Sequence, residues 1–303
     1  MARTRRVPLV ALAVALAAGC GGGDGERAAV QPLSFDRLLA HIPVDQTSAI
    51  ALDVSGARRE LGLAATAAPP SPPNDGTDGA RRLRALVAAT VLNYPIRDNG
   101  PLDRAVDYGQ VTALARVDGP PEVLLIATRE PWAHLRASLK RHGWHARDDG
   151  VFERPAGGRA LRWVAGRDGF AVAAGDPRAA RAALDRRGEG PLLTLLRAAG
   201  GPARGARLSE SGCIRGVAAG YSPAAAGGRF VFATRDVPAK PYRLRPLPGR
   251  PLPEGYSTSE PVAAGGRVLV PFGFEASTDP SFQPALLALT SLGRFGYACR
   301  RGR

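Results

Sequence analysis

Three of the four histidines, His134, His142 and His145, lie close together, and Asp148 and Asp149 follow them; these are the chain's first candidates for holding a metal. The stretch around them reads as a helix stopping at Gly143. On one helix, positions eight apart are separated by about 12 Å of rise, so His134 and His142 are too far apart to share a zinc at ~2.1 Å. His142 and His145 converge only if the turn at Gly143 folds them together, with Asp148 or Asp149 as third ligand. A second explanation covers the same residues, since a histidine at a helix C-terminus complements the helix dipole and acids before a glycine suit a hairpin turn. Neither a metal nor a cofactor is expected.

Nucleophilic and acid–base chemistry have weaker candidates. A serine nucleophile needs a strained elbow of the form Gly-x-Ser-x-Gly. Ser222 in "GYSPA" and Ser211 in "SESGC" both miss it. "AGGPARGAR", residues 199–207, has glycines but no Lys-Ser or Lys-Thr after them, so it is not a phosphate loop and reads as an ordinary loop. Carboxylate pairs can be assembled from Glu153, Asp168 and Asp176, but Asp168 already suits a turn and Asp176 a helix cap. No catalytic residue is assigned, and the chain is expected not to be an enzyme.

The elements that would position these residues alternate along the chain. "LSFDRLLAHIP" reads as a short helix capped by Ser34, with Leu38, Leu39 and Ile42 on one face, and "TSAIALDV" as a strand. "AATAAPPSPPNDGTDG", residues 64–79, carries four prolines and is expected to be a disordered insertion. In "GARRLRALVAATVLNYP", Leu83, Leu86, Val87, Thr90, Val91 and Tyr94 recur with helical period until Pro95. "VTALARVD" and "EVLLIAT" read as paired strands, the second buried on both sides.

"REPWAHLRASLKRHG" follows as a helix with Trp132, Leu135 and Leu139 on one side. The stretches "WHARDDGVFERP" and "ALRWVAGRDGFAVAAG" each break at Asp-Gly and predict a four-strand antiparallel meander. Asp176-Pro177 starts another helix, with "PLLTLLRAAGG" close behind. "CIRGVAAG" and "RFVFATR" read as strands around a Gly-rich turn. "RVLVPFGFE", "DPSFQPALLALTSLG" and "RFGYACR" repeat the earlier order of strand, proline-started helix, glycine stop and strand.

These runs predict an α+β fold in which antiparallel sheet carries helices on one face, arranged as one body or as two related lobes over 33–187 and 188–303. A stretch with six prolines in twenty residues, 236–255, within the second lobe's bounds, is expected to be extended and semi-rigid, either an inter-lobe strap or an edge segment.

The start of the chain sets the address. Arg3, Arg5 and Arg6 precede an uncharged run from Val7 to Gly19, far shorter than the roughly 20 apolar residues of a spanning helix. Residues 1–19 therefore read as a signal peptide and residues 20–32 as a flexible tether. The run ends in Leu16-Ala17-Ala18-Gly19-Cys20, which resembles the lipobox of bacterial lipoproteins, with Ala17 where that family most often has leucine. The resemblance implies cleavage before Cys20 and acylation of its thiol, hence a lipid-anchored protein on the outer face of the cytoplasmic membrane. "HIPVDQTSAIALDVSGARRELGL" after such a box also resembles a group of uncharacterised lipoproteins from high-GC bacteria, which implies no particular activity.

With Cys20 carrying lipid, Cys213 and Cys299 remain as an even pair in an oxidising compartment. A disulfide between them is expected, contributing about 4 to 5 kcal/mol on the chain-entropy account. The formal charge is +14, and lysine occurs only at Lys140 and Lys240 among 41 basic residues, the arginine bias of a high-GC genome. An exported basic chain does not meet nucleic acid; anionic lipid or acidic wall polymer is the partner its charge suits. The reading that results is a lipid-anchored binding or scaffold module of the cell envelope. A carrier of a lipid or other apolar molecule is the alternative, and an envelope hydrolase the third.

Overall fold

The first element forms where Ser34 accepts a hydrogen bond from the backbone N–H of Arg37, starting helix α1 (Phe35–Leu39). The structure, a computed structural model, describes residues 30–69, 76–91, 100–147, 150–154, 161–209, 214–234, 243–246, 256–264, 266–274 and 297–300. Strand β1 (Ser48–Leu52) follows, then α2 (Val54–Glu60), capped by Asp53, and α3 (Asp78–Val91). The apolar face of α3 is as its spacing predicts, with Leu83, Leu86, Val87, Thr90 and Val91 all buried; Tyr94 and Pro95 lie outside the described residues. Helix α4 (Gly100–Ala105) leads into the β2 (Val111–Val117) and β3 (Val123–Thr128) hairpin.

Helix α5 (Trp132–Arg141) comes next, then β4 (His145–Ala146), β5 (Phe152–Glu153), β6 (Trp163–Arg167) and β7 (Phe170–Ala174). Asp176 and Pro177 start α6 (Pro177–Asp185), and Pro191 starts α7 (Pro191–Ala199). Strands β8 (Ala203–Leu208), β9 (Ile214–Ser222) and β10 (Gly227–Thr234) form the next meander. The remainder comprises β11 (Arg243–Pro246), β12 (Tyr256–Thr258), β13 (Val262–Ala264), β14 (Arg267–Phe274) and β15 (Tyr297–Arg300).

Thirteen strands make one antiparallel sheet in the order β12-β14-β10-β9-β8-β1-β2-β3-β7-β6-β5-β4, with β13 also on β14; β11 and β15 pair separately. The α+β class and the four-strand meander β4 to β7 are as read from the sequence. Two details differ. "AGGPARGAR" is not a loop: Ala203 onward forms β8, which sits between β1 and β9 near the middle of the sheet. Alanine, glycine and arginine are weak strand formers, and pairing on both sides overrides that preference.

The helices also cover both faces of the sheet, not one. Leu52, Leu114, Leu124 and Ile126 point to the face where α2, α3 and α5 pack. Ala49, Ala51, Ala113, Ala115 and Leu125 point to the other, covered by α1, α6 and α7. The cause lies in β1, β2 and β3, whose residues are predominantly apolar on both alternating sides and so require cover on both.

Strand β8 hydrogen-bonds to β1, so the sheet runs unbroken across the 187/188 boundary. Outward from that pair the two halves repeat. A helix (α1 or α7) leads into a strand (β1 or β8), a hairpin follows (β2–β3 or β9–β10), and a later strand (β7 or β14) closes beside it. The second proline-started helix, 279–293, falls outside the described residues.

Of the proline-rich stretch 64–79, residues 70–75 are likewise outside. Its ends are tied: buried Arg58 donates to the carbonyls of Ala67 (3.0 Å), Tyr108 and Val111 (2.7 Å each), and Asp78 and Gly79 already belong to α3. Of the strap 236–255 only β11 is described. Among the described residues no helix is long and apolar enough to cross a membrane.

Candidate binding site at the open end of the sheet

The meander from β4 to β7 builds a hollow of about 330 Å³ at the sheet's edge, and its origin is a strand that stops pairing early. The two-residue turn Asp168-Gly169 closes on Arg167 and Phe170, with Gly169 at φ +80°. In the antiparallel β6–β7 pair, Arg167 and Ala165 therefore exchange backbone bonds with β7, and the N–H and C=O of Gly166 point the other way. On that side β5 pairs with Val164 and Trp163, the Arg154 N–H continues to the Arg162 carbonyl at 3.0 Å, and among the described residues none pairs with Gly166. Beyond Phe152 the chain turns off, with the Arg147 N–H donating to the Val151 carbonyl at 2.9 Å. The backbone of Gly166 is left facing the hollow.

Two helices wall this gap. From α5, the Trp132 ring lies against Gly166 so closely that a Cβ there would come within 2.6 Å of it, so only glycine fits. Trp132 meets Phe152 edge to face at 6.1 Å, and the Arg136 guanidinium stands 5.9 Å from the centre of the same Phe152 ring. Asp168 fixes the start of this wall by accepting the Trp132 backbone N–H at 2.8 Å. Helix α6 supplies the opposite wall through Arg181, Leu184 and Asp185. The lining is thus part apolar and part charged, with two arginines against one aspartate.

Among the described residues, those singled out in the sequence do not converge here or elsewhere. His134 is exposed on α5, His142 caps its C-terminus with Nδ1 donating to the Ser138 carbonyl (2.8 Å), and His145 pairs with Glu153 across β4 and β5. Asp148 and Asp149 lie outside the described residues, and among those described no three His, Cys, Asp or Glu side chains are grouped to hold a metal. Ser222 donates its hydroxyl to Glu60 at 2.6 Å; Ser211 is outside. Asp176 accepts the Ala179 N–H at 2.9 Å as the cap of α6. Cys20 and Cys213 are outside, and Cys299 is placed by its backbone only, opposite Leu244.

Glu153 is buried and clamped by Arg147 and Arg162, the latter at 2.5 Å. The hydrogen bonds from Arg147, then those from Arg162, hold its carboxyl below the usual range.

Three further polar groups were not singled out from sequence. Arg116, buried in β2, reaches Asp118 (3.2 Å) and Glu122 (2.7 Å) at the end of the β2–β3 hairpin. Burial raises both carboxyls, and Arg116 only partly offsets it. Its signal was present: an arginine inside an otherwise apolar strand, followed two and six residues later by acids. The second is Arg58, described above. The third is His41, buried against Phe170 (4.5 Å) with Nδ1 donating to the Ala183 carbonyl at 2.9 Å, which joins the end of α1 to α6. Burial lowers its pKa.

Comparison of the chain with protein-family models, with curated proteins and with solved structures finds no match.

Proposed function

We propose that this chain is a lipid-anchored, extracytoplasmic module of a bacterial cell envelope that works by binding a partner and not by catalysis. The observation that carries the address is the run from Val7 to Gly19 ending in Leu16-Ala17-Ala18-Gly19-Cys20, which a signal peptidase and an acyltransferase can use. One chain gives marginal attachment, whereas two or more hold firmly. Binding is supported by the mixed hollow beside Gly166 and by the commitment of Asp168, Asp176 and Glu153 to other bonds. The carrier alternative draws less support, because helices fill both faces of the sheet with apolar side chains.

The test is metabolic labelling of the full chain with an alkyne fatty acid in a bacterial host. The wild-type protein is expected to take the label and sediment with membranes, and Cys20→Ser to lose both properties. An unlabelled wild-type chain in the soluble fraction would overturn the reading.

A further inference from the structure

We propose that the hollow between α5 and α6 is a docking slot for a short, extended peptide rich in carboxylates, which adds to β6 as a strand. The proposal deepens the binding-module reading and rests on it for the existence of a partner. Its geometry stands on three observations.

The backbone comes first. Gly166 presents an N–H and a C=O to the hollow, and β5 ends its pairing two residues earlier, opposite Val164. Among the described residues nothing pairs with this edge, and such an edge is what an added strand uses, its main chain giving affinity and its alternate side chains specificity. Width is the second observation. Trp132 on one wall and Leu184 on the other offer apolar surface to either side of the sheet plane, and the volume of about 330 Å³ is at the small end for a ligand site. A short extended segment fits such a gap, and a folded domain does not.

Charge is the third. Arg136 and Arg181 stand on opposite walls, and Arg167, exposed, follows Gly166 on the strand. Asp185, one helical turn from Arg181, is the single acid among the described lining residues and disfavours a carboxylate at that wall, so the acidic face of the segment belongs on the Arg136 side. An incoming segment with carboxylates at alternate positions turns them all to one face, toward Arg136, and its intervening apolar side chains to the other, toward Leu184, as strand alternation requires.

The experiment uses the full chain in detergent micelles and a fluorescein-labelled pentapeptide, acetyl-Val-Glu-Val-Glu-Val-amide, read by anisotropy. Saturable binding is expected, weakened about ten-fold by Arg136→Glu, an exposed position whose change circular dichroism should show to be structurally silent. The same peptide N-methylated on its backbone, and the lysine counterpart acetyl-Val-Lys-Val-Lys-Val-amide, should both fail to bind. Three results overturn the proposal: no binding of the acidic peptide by folded protein, equal binding of the N-methylated form, or an Arg136→Glu effect seen only on phosphatidylglycerol vesicles, which would assign the arginines to a lipid headgroup. Failure here leaves fatty-acid labelling at Cys20 untouched, so it is distinguishable from failure of the anchored reading.

Discussion

Two arginine–carboxylate clusters in the same sheet have opposite electrostatic outcomes. At the edge, one buried acid, Glu153, is served by two cations, Arg147 and Arg162, whose side chains remain about half in water (56% and 49% exposed). Near the centre, one buried cation, Arg116 (7% exposed), is shared by two partly buried acids, Asp118 and Glu122 (30% and 18%). Glu153 is held below the ordinary carboxylate range and the central pair above it. Proximity of opposite charges is common to both. What differs is which member keeps its water: cations that stay hydrated can aim donors at a buried acid, whereas a buried cation divided between two acids fully compensates neither. Among the described residues Arg116 Nη1, Asp118 Oδ1 and Glu122 Oε1 lack a well-aligned hydrogen-bond partner, so the central contacts are chiefly ion pairs.

The largest effect should come from breaking the central cluster. Arg116→Ala leaves Asp118 and Glu122 without their shared cation, and a loss of about 3 to 5 kcal/mol is expected from such an uncompensated site. Replacing the whole cluster at once (Arg116→Met, Asp118→Asn, Glu122→Gln) should return most of it, because the desolvated charges go together. Urea unfolding measures both. A loss under about 1 kcal/mol for Arg116→Ala would mean that the acids are already neutral or hydrated there.

At the edge, Glu153→Gln should cost less than Arg116→Ala. Its two arginines need only swing outward, and glutamine still fills the place between β4 and β6. The comparison of the two urea midpoints is the check, and an equal or greater loss at Glu153 would show that the clamp, and not the central cluster, organises the meander.

This asymmetry bears on what could be read in advance. Local signals were legible where one segment decides the outcome: Ser34 and Asp176 as caps, the Asp168-Gly169 hairpin, the apolar face of α3, the doubly buried β3. Strand β8 was not legible, because Ala-Arg-Gly-Ala-Arg-Leu has no strand preference until β1 and β9 flank it. Alanines at 49, 51, 113 and 115 carry no mark of a packing face in the sequence, yet on one face they are what α1, α6 and α7 lie against. The hollow was hidden for the same reason. Trp132 read as one more apolar residue on a helix, Gly166 lies unmarked inside a strand, and neither shows that β5 stops short. Asp168 does what a turn residue does locally, and its bond to Trp132 spans 36 positions.

The smallest effect, and the sharpest discriminator, is in pH. Glu153 has a folded-state pKa below its unfolded one, so its stabilisation is present above the unfolded value, near pH 4.3, and is lost as pH falls through the folded value. Asp118 and Glu122 have folded values above their unfolded ones. The folded state therefore binds protons before the unfolded state does, and their contribution rises as pH falls from neutral toward about 4. Buried His41 opposes that rise: its folded pKa is depressed, so the unfolded chain protonates first and stability falls below about pH 6.5. The raw curve mixes these signs, and differences between variants separate them. Melting midpoints of wild type minus the Asp118→Asn, Glu122→Gln double variant should grow as pH drops from 7 to about 5, whereas wild type minus Glu153→Gln should stay level there and shrink only below about 4. If both differences move together over the upper range, the two clusters titrate alike, and the opposition between a hydrated and a buried arginine is wrong.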